Sequence, residues 1–172
     1  MRNATLLLLL ATLATPLWAS PLPANLAETL KAGSDEAVVQ VASATGVQLY
    51  ECQAKKDDPA KFEWAFKAPE ALLYGASREL IGKHYAGPTW EASDGSKAKG
   101  TVKARQDAPE GNIPWLLITA TSEGTGRFAN ITSVQRVNTV GGVAPKDGCN
   151  AANVGKPATV KYSADYYFYR KK

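Results

Sequence analysis

The spacing of apolar and polar side chains predicts β-strands over most of the chain. Apolar and polar residues alternate over 159–169, which is the period of a strand with one buried face. Residues 113–121 are apolar on both faces, as expected of a strand covered on both sides. Pro114 must lie near the beginning of that strand, since proline cannot donate a ladder hydrogen bond. Other segments rich in β-branched and aromatic residues are 36–42, 46–53, 62–66, 100–105 and 129–138.

Short turn signals separate these segments. They are Asp57-Asp58-Pro59, Asp94-Gly95, Pro109-Glu110-Gly111, Gly124-Thr125-Gly126 and Gly141-Gly142. Many short strands with regular turns predict a mainly β fold, either an antiparallel β-sandwich or a closed β-barrel. Residues 23–31 contain leucines at helical spacing and precede Gly33, so we predict a short N-terminal helix there. No repeat or linker divides the chain, and we predict a single domain over residues 20–172.

The first residues have the pattern of a cleavable signal peptide. A cationic start with Arg2 precedes an apolar block over 6–13, and the small residue Ala19 lies just before Ser20. The block is too short for a membrane helix, which needs about 20 apolar residues. We therefore predict a signal peptide over residues 1–19, a mature domain that is secreted or periplasmic, and no membrane span.

Two cysteines, Cys52 and Cys149, lie in the predicted mature domain. In an oxidising compartment such a pair is most simply a disulfide. Closing this loop would stabilise the folded domain by about 4–5 kcal/mol, because it lowers the entropy of the unfolded chain. The alternatives are two free thiols or a metal-binding pair. A zinc site needs four ligands at short spacings, which these cysteines and the single histidine do not supply, so we predict no metal site.

The segment 84–96 is the densest group of chemically unusual residues. One interpretation makes it a ligand-binding surface, with His84 as acid, base or ligand contact and Trp90 as a stacking platform. The other makes Trp90 a core residue and His84 a hydrogen-bonded structural side chain between two turns. The second is favoured, because nothing in the sequence fixes the geometry of a site. The candidate ligand-binding residues are His84, Tyr85, Trp90, Glu91, Asp94 and Ser96.

Few enzyme classes agree with this sequence. It has a single histidine and no Gly-x-Ser-x-Gly elbow, which argues against a serine triad. Residues 124–129 match a dinucleotide fingerprint, but β-branched residues follow where a helix is required, so we predict no cofactor. The enzyme alternative that remains is an extracytoplasmic hydrolase with Glu91 and Asp94 as paired carboxylates.

Four cations occupy alternate positions between 97 and 105. They are Lys97, Lys99, Lys103 and Arg105. On a regular strand they would share one face and could contact an acidic glycan, lipopolysaccharide or nucleic acid. A net charge of only +4 favours a solvated face instead, and we expect no nucleic-acid partner.

Six blocks of the sequence are distinctive together. They are 46–52, 82–91, 94–96, 113–117, 135–145 and 148–149. With these blocks the chain resembles a family of secreted bacterial and fungal proteins that is catalogued only as a domain of unknown function. The resemblance implies an exported domain whose two cysteines recur in their blocks, and it implies no activity.

The sequence thus predicts a non-catalytic binding domain for a small molecule, glycan or protein, which uses the surface around residues 84–96. The alternatives are the hydrolase and a structural protein of the cell envelope with no small-molecule site.

Overall fold

The computed structural model describes residues 21–172, so the predicted signal peptide lies outside the described residues. Eight strands account for most of this part of the chain. They are β1 (Glu36–Ala54), β2 (Phe62–Tyr74), β3 (Leu80–Tyr85), β4 (Thr89–Ala92), β5 (Lys97–Gln106), β6 (Trp115–Glu123), β7 (Ser133–Gly141) and β8 (Pro157–Lys171). The prediction of a mainly β fold is confirmed.

The strands form one closed antiparallel barrel. Each strand pairs with the next along the chain, and β8 pairs with β1 from Glu36 opposite Lys171 to Glu51 opposite Pro157. Of the two predicted architectures, the β-sandwich and the closed β-barrel, the structure shows the barrel. Closure leaves no unpaired sheet edge, so every strand has a neighbour on both sides.

The barrel has two different ends. The β2–β3, β4–β5 and β6–β7 connections meet at one end, which we call the closed end because Phe128 and Ile131 of the β6–β7 connection are buried there in the barrel core. The Phe128 ring stacks on Phe168 of β8, with centroids 4.5 Å apart. The β1–β2, β3–β4, β5–β6 and β7–β8 connections surround the opposite end, which we call the open end.

The predicted N-terminal helix is reduced to one turn of 3-10 helix over Glu28–Leu30. This segment packs on the outside of the barrel, where Leu30 is buried with Trp115 and Tyr169. Barrel side chains satisfy its backbone: Gln106 accepts a hydrogen bond from the Ala27 N–H. The spacing of its leucines therefore reflects burial against a sheet instead of a helix with its own hydrogen bonds.

The predicted strands at 36–42 and 46–53 are one long strand, β1. A register shift at Val39 of β1 against β8, and another at Lys67 of β2 against β1, let the sheet bend around the barrel. Strands β3 and β4 were not predicted from the sequence, because the glycines and proline in and between them indicate turns.

The disulfide between Cys52 and Cys149 is present, with the two Cα atoms 5.3 Å apart. It joins the end of β1 to the long β7–β8 connection beside the open end. The Trp64 indole N–H donates to the Asp147 carbonyl oxygen at 2.9 Å and fastens the same connection to β2. Within residues 21–172, no helix has the length and hydrophobicity that a membrane crossing requires.

Candidate ligand-binding site

The open end of the barrel leads into a cavity of about 590 Å³, which we call the mouth cavity. Strands β1, β2, β3, β5, β6 and β7 contribute to its wall, together with the β3–β4 turn. The apolar part of the wall consists of Phe66, Pro69, Val102, Ile113, Pro114, Leu116 and Val143. The principal polar side chains are Gln48, Tyr50, His84, Asn112 and Arg136.

His84 is a buried part of this wall and only 3% exposed. Its Nδ1 lies 2.9 Å from the carbonyl oxygen of Thr89, so Nδ1 carries a proton and donates it to that oxygen. The imidazole stacks on the Trp90 indole with ring centroids 4.6 Å apart. Burial lowers the pKa of His84 to about 3, and the nearby charge of Arg136 acts in the same direction. At neutral pH, His84 is therefore an uncharged wall residue.

Arg136 is the cation that reaches into the barrel. It lies on β7 opposite Tyr166 of β8. Its Nε and Nη2 both donate to the carbonyl oxygen of Pro114, at 3.1 and 2.8 Å. No carboxylate within residues 21–172 forms an ion pair with it. The guanidinium thus has a neutral partner and no counter-ion in this part of the chain.

Three buried polar atoms beside Arg136 have no hydrogen-bond partner among the described residues: Gln48 Nε2 and the hydroxyls of Tyr162 and Tyr166. The Gln48 amide and the two hydroxyls lie close enough to influence the ionisation of the tyrosines, but they do not meet with hydrogen-bond geometry. Burial raises the pKa of both tyrosines, so both hydroxyls keep their protons at neutral pH. Of these groups Gln48 lines the mouth cavity, while Tyr162 and Tyr166 belong to the adjoining core of the barrel.

The structure separates the six predicted binding residues into three places. His84 and Trp90 lie in the barrel interior, where Trp90 is fully buried. Tyr85 and Glu91 lie elsewhere on the barrel wall, with the Tyr85 hydroxyl donating to Glu91 Oε2 at 2.7 Å. That hydrogen bond, followed by the charges of two flanking lysines, lowers the pKa of Glu91. Of the six, only His84 reaches the mouth cavity.

Asp94 and Ser96 belong to the closed end. Asp94 Oδ1 accepts hydrogen bonds from the Ser96 hydroxyl and N–H, at 2.6 and 3.0 Å, and these bonds help to lower the pKa of Asp94 to about 2. Its Oδ2 accepts from the Arg127 N–H at 2.8 Å, while the Ser96 hydroxyl accepts from the Phe128 N–H at 3.0 Å. A β-carbon on Gly126 would lie 2.4 Å from Asp94 Oδ2, so only glycine allows this approach.

These bonds hold the β6–β7 connection across the barrel. They also place Glu91 and Asp94 in separate networks with no shared partner, so the two carboxylates do not form the pair that a hydrolase would need.

The four cations of β5 do not form one row. A register shift between Val102 and Ala104 changes the alternation, so Arg105 lies beside the mouth cavity. Lys97 lies 3.6 Å from Glu91 and Lys99 2.7 Å from Glu123. Contact between Lys97, Lys99, Lys103 and Arg105 and a polyanion stays a prediction, on a surface whose charges are mostly paired.

The polar cavity residues that sequence reasoning missed are Gln48, Asn112 and Arg136. A usable signal existed for Gln48, which follows Ala42 and Ala44 on the inward-facing alternation of β1 and is a long polar side chain at a core position. Arg136 occupies the equivalent inward position two residues after Val134.

The fold and the cavity define a closed antiparallel β-barrel with one blocked end and one open end. A family model described as a protein of unknown function, DUF3455, matches residues 33–170, and the chain belongs to this family. The expected membership in a family of unknown function is thereby confirmed. No curated protein and no solved structure matches the chain. Among residues 21–172, no group of three or more His, Cys, Asp or Glu side chains could hold a metal ion.

Proposed function

We propose that this domain binds a small molecule with an apolar body in the mouth cavity. The observation that carries the proposal is the cavity itself, whose mainly apolar wall includes the unpartnered amide nitrogen of Gln48 and the guanidinium of Arg136. Small-molecule sites in proteins have this composition, and eight-stranded barrels are wide enough to hold one small ligand. A buried donor without a partner costs about 1–3 kcal/mol, which a ligand that accepts its hydrogen bond would recover.

The rim of the cavity supports entry of an apolar molecule. Phe66, Val102 and Val143 line the mouth and are 53%, 50% and 44% exposed. Three large apolar side chains around one opening are unusual on a solvated surface, whereas they are common at ligand-binding grooves.

The proposed function is still ligand binding, as the sequence predicted, but the site lies in the mouth cavity instead of on the surface around residues 84–96. The segment 84–96 contributes His84 and the 86–88 turn to the wall, while the rest of the site comes from other strands. Because His84 is uncharged and Glu91 and Asp94 are apart, the geometry supports binding better than hydrolysis. We also propose that the domain works outside the cytoplasm, which the disulfide supports.

Titration with the uncharged dye N-phenylnaphthylamine tests the binding proposal, since its fluorescence rises in an apolar site. We expect saturable binding to the wild-type domain. Ala144→Trp places an indole in the cavity wall and should weaken binding about tenfold, by removing space and contacts worth about 1.4 kcal/mol.

Ala129→Trp is the matched control, because Ala129 is also partly buried but lies at the closed end. It should leave the affinity of the dye unchanged. Absence of saturable binding to the wild-type domain, or equal weakening in both variants, would contradict a site in the mouth cavity.

A further inference from the structure

The charge of the ligand follows from the groups at the depth of the mouth cavity. We propose that the cavity selects an organic anion, with an apolar body and a carboxylate, sulfonate or phosphate group, and that Arg136 binds the anionic group. This inference rests on the proposed binding function and adds the ligand class to it.

Arg136 has unused capacity to bind an anion. Its bonds to the Pro114 carbonyl oxygen engage Nε and Nη2, while Nη1 forms no hydrogen bond of good geometry within residues 21–172, although the Tyr166 hydroxyl lies close to the guanidinium. Arg136 is partly buried and has no counter-ion, so a charged acceptor would stabilise its guanidinium. Guanidinium also matches carboxylate and phosphate groups geometrically, because its N–H groups point in parallel pairs.

The neighbouring unpartnered groups can each donate a hydrogen bond. Gln48 Nε2 can only donate, and the protonated hydroxyls of Tyr162 and Tyr166 can donate as well. A cationic or donor-rich ligand would leave Gln48 Nε2 unsatisfied and meet the Arg136 charge. A group rich in acceptor atoms would satisfy both.

The remaining charges of the cavity agree with this assignment. None of its lining residues is Asp or Glu, and His84 is neutral. The other two cations of the wall, Lys67 and Arg105, each lie 3.3 Å from an exposed carboxylate outside the cavity. Their charge is therefore largely balanced at the rim, and Arg136 is the cation positioned to contact a bound ligand.

A matched pair of dyes tests the inference. Anilinonaphthalenesulfonate and N-phenylnaphthylamine share one ring system and differ only by the sulfonate. We expect the wild-type domain to bind the sulfonate more tightly. Arg136→Gln should weaken sulfonate binding about ten- to a hundredfold, the range for a lost hydrogen bond to a charged group, and change binding of the uncharged dye less than about threefold.

Arg127→Gln is the control, since it removes an exposed guanidinium at the closed end, and it should leave both affinities unchanged. A competition experiment tests the same selectivity without any substitution. We expect decanoate to displace the uncharged dye from the wild-type domain, and decanol at equal concentration not to displace it. This second measurement decides the question if the Arg136→Gln protein does not fold.

The outcomes separate the two proposals. If the uncharged dye binds as tightly as the sulfonate, or decanol competes as well as decanoate, the anion inference is wrong and the binding function stands. Equal loss of both dyes in Arg136→Gln would make Arg136 a structural residue and would also overturn the inference. If neither dye binds the wild-type domain, the binding function itself is overturned.

Discussion

Mild acidification should destabilise this domain through His84. The imidazole is buried against Trp90, and the residues that face it from the opposite strands are Tyr166 and the cation Arg136. None of these can compensate a positive charge on the ring. Folding therefore disfavours the protonated histidine, and burial lowers the pKa of His84 from 6.5 to about 3.

The direction and size of the effect follow from proton binding. Between pH 6.5 and pH 3 the unfolded chain holds a proton on His84 that the folded domain does not, so stability falls as the pH falls. Each pH unit inside this window is worth about 1.4 kcal/mol. The free energy of unfolding should thus decrease by about 2 kcal/mol between pH 7 and pH 5.

The window above pH 5 isolates the histidine. Several carboxylates also have a lowered pKa in the folded domain, so they lose their stabilising effect as they become protonated. Their unfolded-state values are 3.8 for aspartate and 4.5 for glutamate, and they therefore act mainly below pH 5. These carboxylates are Asp35, Glu36, Glu91 and Asp94.

Urea denaturation of wild-type and His84→Asn protein at pH 5, 6 and 7 measures this effect. The amide nitrogen of asparagine can replace Nδ1 as donor to the Thr89 carbonyl oxygen, and the side chain does not titrate. At pH 7 we expect the variant to be less stable than the wild type, because it loses the stacking on Trp90. Its own stability should be the same at pH 5, 6 and 7. A wild-type domain with constant stability from pH 7 to pH 5, or the same slope in both proteins, would refute the reasoning.

Three substitutions test other parts of the barrel by urea denaturation. Ser96→Ala removes a buried hydroxyl with two hydrogen bonds and should cost about 2 kcal/mol, whereas the exposed Ser93→Ala should change stability by less than about 0.5 kcal/mol. Equal effects would argue against the closed-end network. The double variant Cys52→Ala/Cys149→Ala should lose about 4–5 kcal/mol, and reductant should lower the Tm of the wild type alone. Gly46→Ala should cost at least about 3 kcal/mol, since its β-carbon would lie 2.0 Å from a backbone carbonyl oxygen of β2, and an unchanged Tm would contradict this.

The strand pattern predicted the fold class because alternation is a local property. Along β8 the inward residues Tyr162, Tyr166 and Phe168 are buried in the barrel, as their period of two predicts. The choice between sandwich and barrel was not local. It depends on the pairing of β1 with β8, strands that are more than a hundred residues apart in sequence.

The sequence could not place the site because its residues share no local motif. Gln48, Arg136 and Tyr162 come from three strands and become neighbours only after the barrel closes. Their polarity at inward positions was the available signal, but register shifts in β1, β5 and β7 prevent the alternation from being extended along whole strands. The segment 84–96 drew attention because its unusual residues are adjacent in sequence, and folding distributes them over the interior, the barrel wall and the closed end.

The two ends of the barrel differ in how their polar groups are satisfied, and this difference favours a ligand over loose packing. At the closed end, Asp94 and Ser96 have partners at every polar side-chain atom, supplied by each other and by the β6–β7 connection. At the open end, Arg136 and Gln48 retain unused donors beside a cavity that water or a ligand can enter. Gln48 Nε2 and the Arg136 guanidinium both line this cavity, whereas the unpartnered Nε1 donors of Trp90 and Trp115 lie in apolar clusters away from it. An acceptor in the cavity would satisfy both groups, and we therefore propose that the bound molecule brings the negative charge.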